Sequence, residues 1–272
     1  MTTTLLPSLL RISPHPGRRE ASLKTAVSQC PNPNVVPIVG DVTSKSALSD
    51  IADRIHAEHG HLDVLFSNAG ISGPNSPQAP PRSGEEASAL MQWRDTLWSV
   101  PMEDFTETLH VNCTAVMYTV LAFLPLLLAG NEKRDKDPSA RRQRSQIIVT
   151  ASVASFSRTI AHNPAYPSSK AAVMSLVKTL ATKLGPERVR VNALAPGLYV
   201  SEMTAGNDQV KEGMRPDEEG ALPKHITPEG RMGGEEDMAA TALYMIGSGG
   251  AYLSGSVLLT DGGRLGLLPG TY

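Results

Sequence analysis

The stretch NPAYPSSKAA, residues 163–172, begins a long helical pattern and places Tyr166 and Lys170 four residues apart. Residues at positions i and i+4 share one face of a helix, so the two side chains can meet. An ammonium group beside a phenol favours the phenolate and lowers a pKa that is ordinarily about 10. A tyrosine tuned in this way can exchange a proton with a carbonyl or an alcohol near neutral pH. An ordinary amphipathic helix can carry the same pair, so the spacing alone leaves both interpretations open.

The composition of the chain is that of a globular protein rather than of a membrane or nucleic-acid-binding protein. Of its 272 residues, 40% are apolar and 19% are charged, which suits one α/β domain over residues 1–272. The net charge is −2 and the basic residues are scattered, so no nucleic-acid partner is expected. Cys30 and Cys113 form no disulfide framework, and no cysteine and histidine cluster has zinc spacing. We therefore expect a cytoplasmic protein without a metal site.

The most apolar run, Val116–Leu128, has only 13 residues and contains Pro125. That length is too short for a bilayer, and the run is typical of a buried or interface helix. The N-terminus lacks the basic start and the apolar core of a signal peptide. We expect no membrane partner.

Apolar runs and helical spacings alternate along the chain, and strands apolar on both faces indicate a parallel sheet covered on both sides. The sequence predicts an α/β fold, a doubly wound parallel sheet flanked by helices. Strands are predicted over Val35–Val39, Leu62–Phe66, Gln146–Thr150, Val189–Ala195 and from Ser256, with a weaker one over Leu5–Ile12. Helices are predicted near Leu23–Val27, after Thr43 or Ser44, and over Glu85–Trp93, Asp104–Leu128, Pro164–Leu184 and Glu235–Ile246, with a charged surface loop over Asn131–Arg144.

Turn residues follow the carboxyl ends of four of these predicted strands. They are Gly40-Asp41, Asn68-Ala69-Gly70, Ala151-Ser152 and Pro196-Gly197. In parallel sheets of this class, ligands bind in the crevice beyond the carboxyl ends of the strands. The turns are expected to converge there, which favours the catalytic interpretation of the Tyr166 and Lys170 pair.

The ordered set of motifs resembles the short-chain dehydrogenase/reductase family from about residue 35 to residue 263. Its members are Asn68-Ala69-Gly70, Asn112, Ser152, the Tyr166 and Lys170 pair, and Asn192 with Pro196-Gly197. The segments Ala195–Leu198 and Ala251–Gly255 are similar to those of fungal members near the 3-oxoacyl-carrier-protein reductase branch. The resemblance implies a Rossmann-like fold and an oxidoreductase.

The resemblance also implies a role for each of four catalytic residues. Tyr166 would donate the proton in reduction, and Lys170 would lower its pKa and bind the nicotinamide ribose. Ser152 would polarise the substrate carbonyl, and Asn112 would place a water that links Lys170 to solvent. Hydride addition creates an alkoxide, which such hydroxyl groups can stabilise and protonate.

Two further serines, Ser155 and Ser157, lie close to Ser152 in the sequence. Ser152 alone directly follows the apolar strand, 14 residues before Tyr166. We interpret Ser155 and Ser157 as loop hydroxyls in water.

The same resemblance assigns cofactor contacts to the turns. The adenine would contact Asp41 and Val42, and the adenosine side of the cofactor would lie on Asn68, Ala69 and Gly70. The nicotinamide and the pyrophosphate would face Pro196, Gly197, Tyr199 and Ser201. The nicotinamide ribose would lie at Tyr166 and Lys170. Arg18 and Arg19 follow the expected end of the second strand, where arginines would suit a 2′-phosphate. We therefore expect NADP(H) rather than NAD, although the two arginines can also simply begin a surface helix.

The family's first strand normally leads into a glycine-rich turn of the Thr-Gly-x-x-x-Gly-x-Gly kind, which holds the pyrophosphate at a helix N-terminus. No such segment occurs in the 272 residues, and Gly17 is the only glycine before Gly40. We expect the first βα unit to be absent from this sequence. Three explanations remain open: a truncated gene model or splice form of an active enzyme, a variant with impaired cofactor binding, or a replacement supplied by residues 1–16.

The expected activity is hydride transfer between NADP(H) and a ketone or secondary alcohol of a small or carrier-bound, acyl-type metabolite. A place in fungal polyketide-type metabolism is inferred from the resemblance alone. Residues 203–233 are expected to form a substrate lid, and Trp93 and Trp98 either line the pocket or pack in an insert. Helices over Val116–Leu128 and Pro164–Leu184 resemble the family's dimer-forming pair, so a homodimer or homotetramer is expected. The alternative is a catalytically impaired binding or scaffold subunit.

Overall fold

Four parallel strands form one sheet in the computed structural model, which describes residues 27–28, 30, 32, 34–74, 86–137, 143–159, 163–204 and 206–271. The strands are β1 (Val64–Ser67), β2 (Gln146–Thr150), β3 (Arg190–Pro196) and β4 (Val257–Thr260), in the order β1-β2-β3-β4. Every neighbouring pair is parallel, with Val64 beside Gln146 and Gln146 beside Arg190. The predicted parallel α/β architecture is confirmed.

Six α-helices accompany the sheet within the described residues. They are α1 (Lys45–His59), α2 (Glu86–Trp98), α3 (Met102–Leu109), α4 (Ala115–Asp135), α5 (Ala165–Leu184) and α6 (Glu235–Ile246). A π-helical turn over His110–Thr114 joins α3 to α4, and short 3-10 turns lie at Val153–Phe156, Glu202–Thr204, Ser248–Gly250 and Arg264–Leu267.

The two faces of the sheet bury different helices because side chains alternate along each strand. Ile147 of β2 lies in the larger core with Phe123 of α4 and with apolar residues of α1 and α5. The next residue, Ile148, points to the opposite face and packs in a second cluster with Met245 of α6. The sheet is therefore covered on both sides, as strands apolar on both faces require.

The continuous helical run Met102–Asp135 is long and apolar enough to cross a membrane by length and composition alone. In this fold, 44% of its most apolar stretch is buried inside the protein. Val120, Phe123 and Leu127 have no exposed surface and belong to the larger core. These contacts are those of a core helix in a globular fold.

The strand predicted over Val35–Val39 is wrong. The segment is irregular, and no described strand pairs with it. Pro37 has no N–H for a ladder, and Ile38 is buried in the core that α1 shares. A β-strand needs a neighbouring strand whose backbone forms hydrogen bonds with it. The apolar pattern of a single segment does not show whether such a neighbour exists.

The predicted charged loop over Asn131–Arg144 is wrong for its first five residues, because α4 continues to Asp135. The Asn131 side chain is buried, accepts a hydrogen bond from Ser145 N at 2.9 Å and donates to the carbonyls of Glu187 and Arg188. These contacts hold the last turn of α4 against the entrances of β2 and β3. Helix α2 likewise extends beyond the predicted Trp93 to Trp98, whose ring is largely exposed beneath Arg94.

Several predicted elements agree closely with the structure. Strand β2 and helix α6 have the predicted bounds, and α5 begins one residue later than expected. Ser44 caps α1 by accepting a hydrogen bond from Ala47 N at 3.3 Å. The expected strand over Leu5–Ile12 lies outside the described residues, as does the helix near Leu23 apart from the helical Val27 and Ser28.

The side chain of Asn192 in β3 binds the loop that leads into β4. This side chain is buried, donates to Leu253 O at 3.0 Å and accepts from Ser256 N at 3.0 Å. Arg190 supports the same loop by donating to the carbonyls of Gly250 and Leu253. The two side chains fix the connection that returns from α6 to the sheet.

We expect Leu127→Ala to lower the free energy of unfolding by about 2–5 kcal/mol, because it opens a cavity in the larger core. The matched control is Leu90→Ala in α2, since Leu90 is 57% exposed while Leu127 has no exposed surface. The control should change stability by about 0.5 kcal/mol or less. Urea denaturation followed by circular dichroism measures both, and equal losses would contradict the described core.

Candidate active site

The first turn of α5 carries Tyr166 and Lys170 to the carboxyl end of the sheet. Asn163 fixes the start of the helix by accepting a hydrogen bond from Ala165 N at 2.7 Å. Pro167 is tolerated because the N–H groups of a first helical turn have no partner within the helix. The helix packs on the 3-10 turn that begins after Ser152.

The ammonium group of Lys170 is almost completely buried, with 4% of the residue exposed. Its Nζ donates a hydrogen bond to Thr150 O at 2.8 Å and lies 5.9 Å from the centre of the Tyr166 ring. Burial disfavours the charged form and lowers the pKa of Lys170 to about 8. This lysine can therefore change charge within a pH range that a normal lysine does not reach.

Tyr166 and Ser152 form the hydroxyl pair of the site. Burial raises the pKa of Tyr166, and its hydrogen bond with the Ser152 side chain lowers that pKa in part. Ser152 Oγ also accepts a hydrogen bond from Ala154 N at 3.1 Å, so its proton is available to the phenol oxygen. The expected lowering of the Tyr166 pKa by Lys170 is not found, because Lys170 Nζ bonds to the Thr150 carbonyl and burial has the larger effect.

Asn112 lies in the π-helical turn between α3 and α4 and has no exposed surface. Its Oδ1 accepts from Ile71 N at 2.8 Å, and its Nδ2 donates to Ile71 O and to Ser169 Oγ, both at 2.9 Å. Single π-turns inside helices are frequent at functional sites. The Asn112 side chain thus joins the segment after β1 to the first turn of α5.

The turn Asn68-Ala69-Gly70 after β1 packs against the same cluster. Asn68 Oδ1 accepts a hydrogen bond from Thr150 Oγ1 at 2.7 Å, which joins the ends of β1 and β2. A Cβ atom added to Gly70 would lie 3.0 Å from Asn112 Oδ1 and 3.4 Å from Lys170 Nζ. Glycine therefore allows the backbone to approach the ammonium group closely.

Two other predicted cofactor contacts, Asp41 and Val42, belong to the turn before α1. Asp41 Oδ1 accepts from Thr43 N at 2.9 Å and from Thr43 Oγ1 at 2.7 Å, while Val42 is buried. These two bonds stabilise the turn, and both are made by Oδ1 of Asp41 and not by its second carboxylate oxygen, Oδ2.

The predicted contacts after β3 lie on a separate loop. Gly197 N donates to Thr260 O at 2.9 Å, and a Cβ at Gly197 would lie 2.7 Å from the Asp261 Cα, so only glycine fits there. Tyr199, which follows Pro196 and Gly197 closely in the chain, forms an isolated parallel β-bridge with Gly233. Ser201 Oγ lies 3.1 Å from Thr204 Oγ1, at the wall of a cavity of about 290 Å³.

Sequence reasoning missed two residues of the cluster, Thr150 and Ser169. Thr150 acts through its backbone carbonyl, which no residue pattern reveals, and Ser169 looks no different from the exposed Ser168 in the sequence. The interpretation of Ser155 as a loop hydroxyl in water is wrong. The residue is buried, and its Oγ has no hydrogen-bond partner among the described residues.

Comparison with known proteins agrees with this geometry. The profile of the family described as enoyl-(acyl carrier protein) reductase matches residues 12–264. The chain is 39% identical over 257 residues to the short-chain dehydrogenase/reductase PhomF of Diaporthe leptostromiformis, covering 94% of this chain and 83% of PhomF. It is 36% identical over 250 residues to the short-chain dehydrogenase/reductase SAT3 of Stachybotrys chartarum, covering 88% of each. The chain belongs to the short-chain dehydrogenase/reductase family.

The fold of this short-chain dehydrogenase/reductase also matches a solved structure. The Pseudomonas aeruginosa RhlG/NADP active-site complex superposes with a TM-score of 0.71 and 26% identity, covering 94% of this chain and 86% of RhlG. The chain is thus a Rossmann-like member of an oxidoreductase family. The predicted family and fold are both confirmed.

The donor set fits the nicotinamide and ribose end of a dinucleotide. An ammonium group has three donors, and Thr150 O is the acceptor the structure gives to Lys170, so donors remain for ribose hydroxyls. The hydroxyls of Ser152 and Tyr166 lie together, and the centre of the Tyr166 ring is 5.9 Å from Lys170 Nζ. The described residues contain no glycine-rich turn at a helix N-terminus that could bind the pyrophosphate of the cofactor.

We expect Lys170→Met to raise the free energy of unfolding at about pH 7 by up to about 3 kcal/mol, because a buried charge is replaced by an apolar chain of similar size. The folded chain binds this proton less tightly than the unfolded chain, since its pKa of about 8 is depressed. The wild type therefore gains stability as the pH rises from about 8 to about 10, and the advantage of the variant falls over that range.

Urea denaturation at about pH 7 and about pH 10 measures this change, with Lys178→Met on the exposed side of α5 as the control. The control should show no comparable pH dependence, because water surrounds the Lys178 ammonium group in the folded chain as it does in the unfolded chain. An advantage of Lys170→Met that stays the same at both pH values would contradict the buried ammonium group.

Proposed function

We propose that the protein is an NADP(H)-dependent reductase of ketones, acting in reverse as a secondary-alcohol dehydrogenase. The observation that carries the proposal is the Tyr166 and Ser152 hydroxyl pair beside the buried ammonium group of Lys170. The pair lies at the carboxyl end of a parallel sheet, where ligands of such folds bind. Membership of the oxidoreductase family supports the same reaction class.

The chain's own residues would bind the carbonyl and supply the proton. Ser152 would donate a hydrogen bond to the substrate oxygen, and Tyr166 would transfer its proton to that oxygen as negative charge develops. Bound nicotinamide would supply the hydride. The Ser152 hydroxyl would stabilise the resulting phenolate, and Lys170, which is held in place at Thr150 O, would bind the nicotinamide ribose.

We propose NADP(H) rather than NAD as the cofactor. Arg18 and Arg19 would suit the 2′-phosphate, since guanidinium groups bind phosphate in a bidentate manner. The similarity to a protein whose structure was solved with NADP supports the same choice. Asp41, Val42 and the Asn68–Gly70 turn remain proposed contacts on the adenosine side, and Pro196, Gly197, Tyr199 and Ser201 on the nicotinamide side.

The proposed substrate is a ketone on a small or carrier-bound, acyl-type metabolite of fungal polyketide-type metabolism. The description of the matching family supports an acyl-type substrate, and the two fungal relatives support a fungal setting. The polyketide-type assignment rests on the resemblance of the sequence motifs alone. We propose that residues 203–233 close over the substrate. The described residues of this segment, 203–204 and 206–233, form short turns and include Leu222 and Met232 as buried anchors, and the segment ends at Gly233, which forms a bridge with Tyr199. A cytoplasmic location is part of the same proposal.

We propose a homodimer or homotetramer built on α4 and α5. Tyr118 and Leu121 are exposed on one side of α4, and Thr114 and Pro125 continue the same stripe. Positions spaced by three or four residues share one face of a helix. A largely apolar stripe of this kind, with threonine as its one polar member, suits an isologous contact with a second copy.

A second candidate function is a binding or scaffold subunit that has lost turnover. The specific observation in its favour is that the 272 residues contain no Thr-Gly-x-x-x-Gly-x-Gly segment. Backbone amides of that segment would otherwise hold the pyrophosphate at a helix N-terminus. The two candidates differ in whether the chain consumes NADPH.

We expect Tyr166→Phe to lower turnover by a factor of about 10² or more, because it removes the proton donor. The assay follows NADPH absorbance with acetoacetyl-N-acetylcysteamine, a soluble mimic of a carrier-bound keto acyl group. Binding of NADPH to the variant, measured by fluorescence, should stay close to the wild type. Tyr252→Phe is the matched control, because Tyr252 is fully exposed.

Turnover retained in Tyr166→Phe would overturn the assigned role. A folded wild type that binds NADPH but reduces neither this thioester nor simple ketones would favour the scaffold candidate.

A further inference from the structure

Ser169 is a polar residue of α5 that has no exposed surface and lies between Tyr166 and Lys170. Its Oγ accepts a hydrogen bond from Asn112 Nδ2 at 2.9 Å and donates to Tyr166 O at 2.7 Å. The contact with Asn112 spans 57 positions of the chain. A single hydroxyl therefore connects the π-helical turn with the helical turn that holds the tyrosine.

The direction of these bonds is determined by the Asn112 amide. Ile71 N is a donor and Ile71 O is an acceptor, so Asn112 must present Oδ1 to the first and Nδ2 to the second. Nδ2 is then also the atom that faces Ser169. Because Nδ2 can only donate, Ser169 Oγ must accept there, and its own proton goes to Tyr166 O. If the Asn112 amide were flipped, Nδ2 would face the Ile71 N–H, which is also a donor, and Oδ1 would face the Ile71 carbonyl, which is also an acceptor.

The two threonine hydroxyls of α5 that bond to a carbonyl do so within their own helix. Thr179 and Thr182 donate to carbonyls four residues earlier in their own helix, at 3.1 Å in both cases. Such local bonds are ordinary for serine and threonine in helices. Ser169 differs because it also accepts from a side chain of a different element, inside the protein.

The contacts extend from Ser169 to the ammonium group. Ile71 follows Gly70, and the Gly70 backbone lies against both Asn112 Oδ1 and Lys170 Nζ. A buried polar network is most rigid when all its members have partners, and the Asn112 side chain has three. Removing the Ser169 hydroxyl would leave one Nδ2 proton without its acceptor.

We propose that Ser169 is a positioning residue for the reaction proposed above, acting through Asn112 on the Gly70–Ile71 backbone and on Lys170. The inference rests on the proposed function. Ser169 would contact neither substrate nor cofactor. It would hold the turn after β1 and the start of α5 in one fixed arrangement, which keeps Lys170 packed beside Gly70 and bonded to Thr150 O.

The first test compares Ser169→Ala with Ser169→Cys, whose thiol is similar in size but forms weak hydrogen bonds. The control is Ser175→Ala, the same change at an exposed position of α5. With NADPH and acetoacetyl-N-acetylcysteamine, kcat of Ser169→Ala should fall about tenfold or more, because small displacements of reacting groups are costly. KM should change little, Ser169→Cys should lie between, and Ser175→Ala should match the wild type.

The pH profile separates positioning from a loss of stability. If the packing around the ammonium group loosens in Ser169→Ala, the pKa of Lys170 rises from about 8 towards its ordinary value, because burial is the main cause of its depression and the Cys113 thiol acts only second. Among the described residues, the other titratable group that faces Lys170 Nζ is Tyr166, whose ring centre lies 5.9 Å away. The corresponding limb of the kcat profile should move to higher pH in Ser169→Ala and stay in place in Ser175→Ala. A merely structural serine would lower the melting temperature without moving this limb.

Hydrogen exchange gives a reading that does not need turnover. The Ile71 amide is bonded to Asn112 Oδ1 at 2.8 Å, so its exchange should become about tenfold faster in Ser169→Ala. The amide of the buried Val177 in α5 should exchange at the wild-type rate and serves as the folding control.

The two hypotheses fail in different ways. A wild type that never oxidises NADPH with the thioester overturns the proposed function, and with it the role of Ser169 in that reaction. If the wild type is active, an unchanged kcat, pH profile and Ile71 exchange in Ser169→Ala overturn the role of Ser169 alone.

Discussion

The buried ammonium group of Lys170 is the constraint on which the rest of the site depends. Removing a charged amine from water costs several kcal/mol unless nearby groups compensate. In the described structure the compensation is the Thr150 carbonyl at 2.8 Å, together with the dense packing of Gly70 and Asn112. The depressed pKa of Lys170, about 8, is the visible result of this incomplete compensation. The protein therefore keeps a destabilised cation at the carboxyl end of its sheet.

Each neighbouring element contributes one part of that environment. The end of β2 presents the Thr150 carbonyl and then Ser152, while the turn after β1 brings the Gly70 backbone close. The π-helical turn contributes the buried side chain of Asn112. Helix α5 carries Tyr166 and Lys170 on one face, and Ser169 joins it to Asn112. Parallel topology makes this possible because all the strands end at the same edge.

Local patterns in the sequence predicted the features that depend on local physics. Apolar runs and their spacing gave β2 and α6 with their observed bounds, and the capping serine of α1 was one of two candidates. The ordered motifs, taken together, predicted the family and the Rossmann-like fold. They succeed because turns and buried strands each require particular residue types.

Features that depend on distant contacts could not be predicted. Val35–Val39 has the composition of a strand but lacks a described partner, and Asn131 extends α4 through bonds to residues elsewhere in the chain. The pKa of Tyr166 is raised because its burial outweighs the Ser152 contact, a balance that no spacing reveals. Ser169 became recognisable only through a bond that spans 57 positions.

Thermal unfolding with and without NADPH shows whether this chain holds a nicotinamide dinucleotide at the Tyr166 and Lys170 site. At about 100 times its dissociation constant, a bound nucleotide adds about 2.7 kcal/mol to the stability of the folded state. For a domain of this size, that corresponds to a rise in Tm of about 5 °C or more, with a smaller effect of NADH at the same concentration. A cooperatively folded 272-residue chain whose Tm does not change with saturating NADPH or NADH would contradict the proposed cofactor binding.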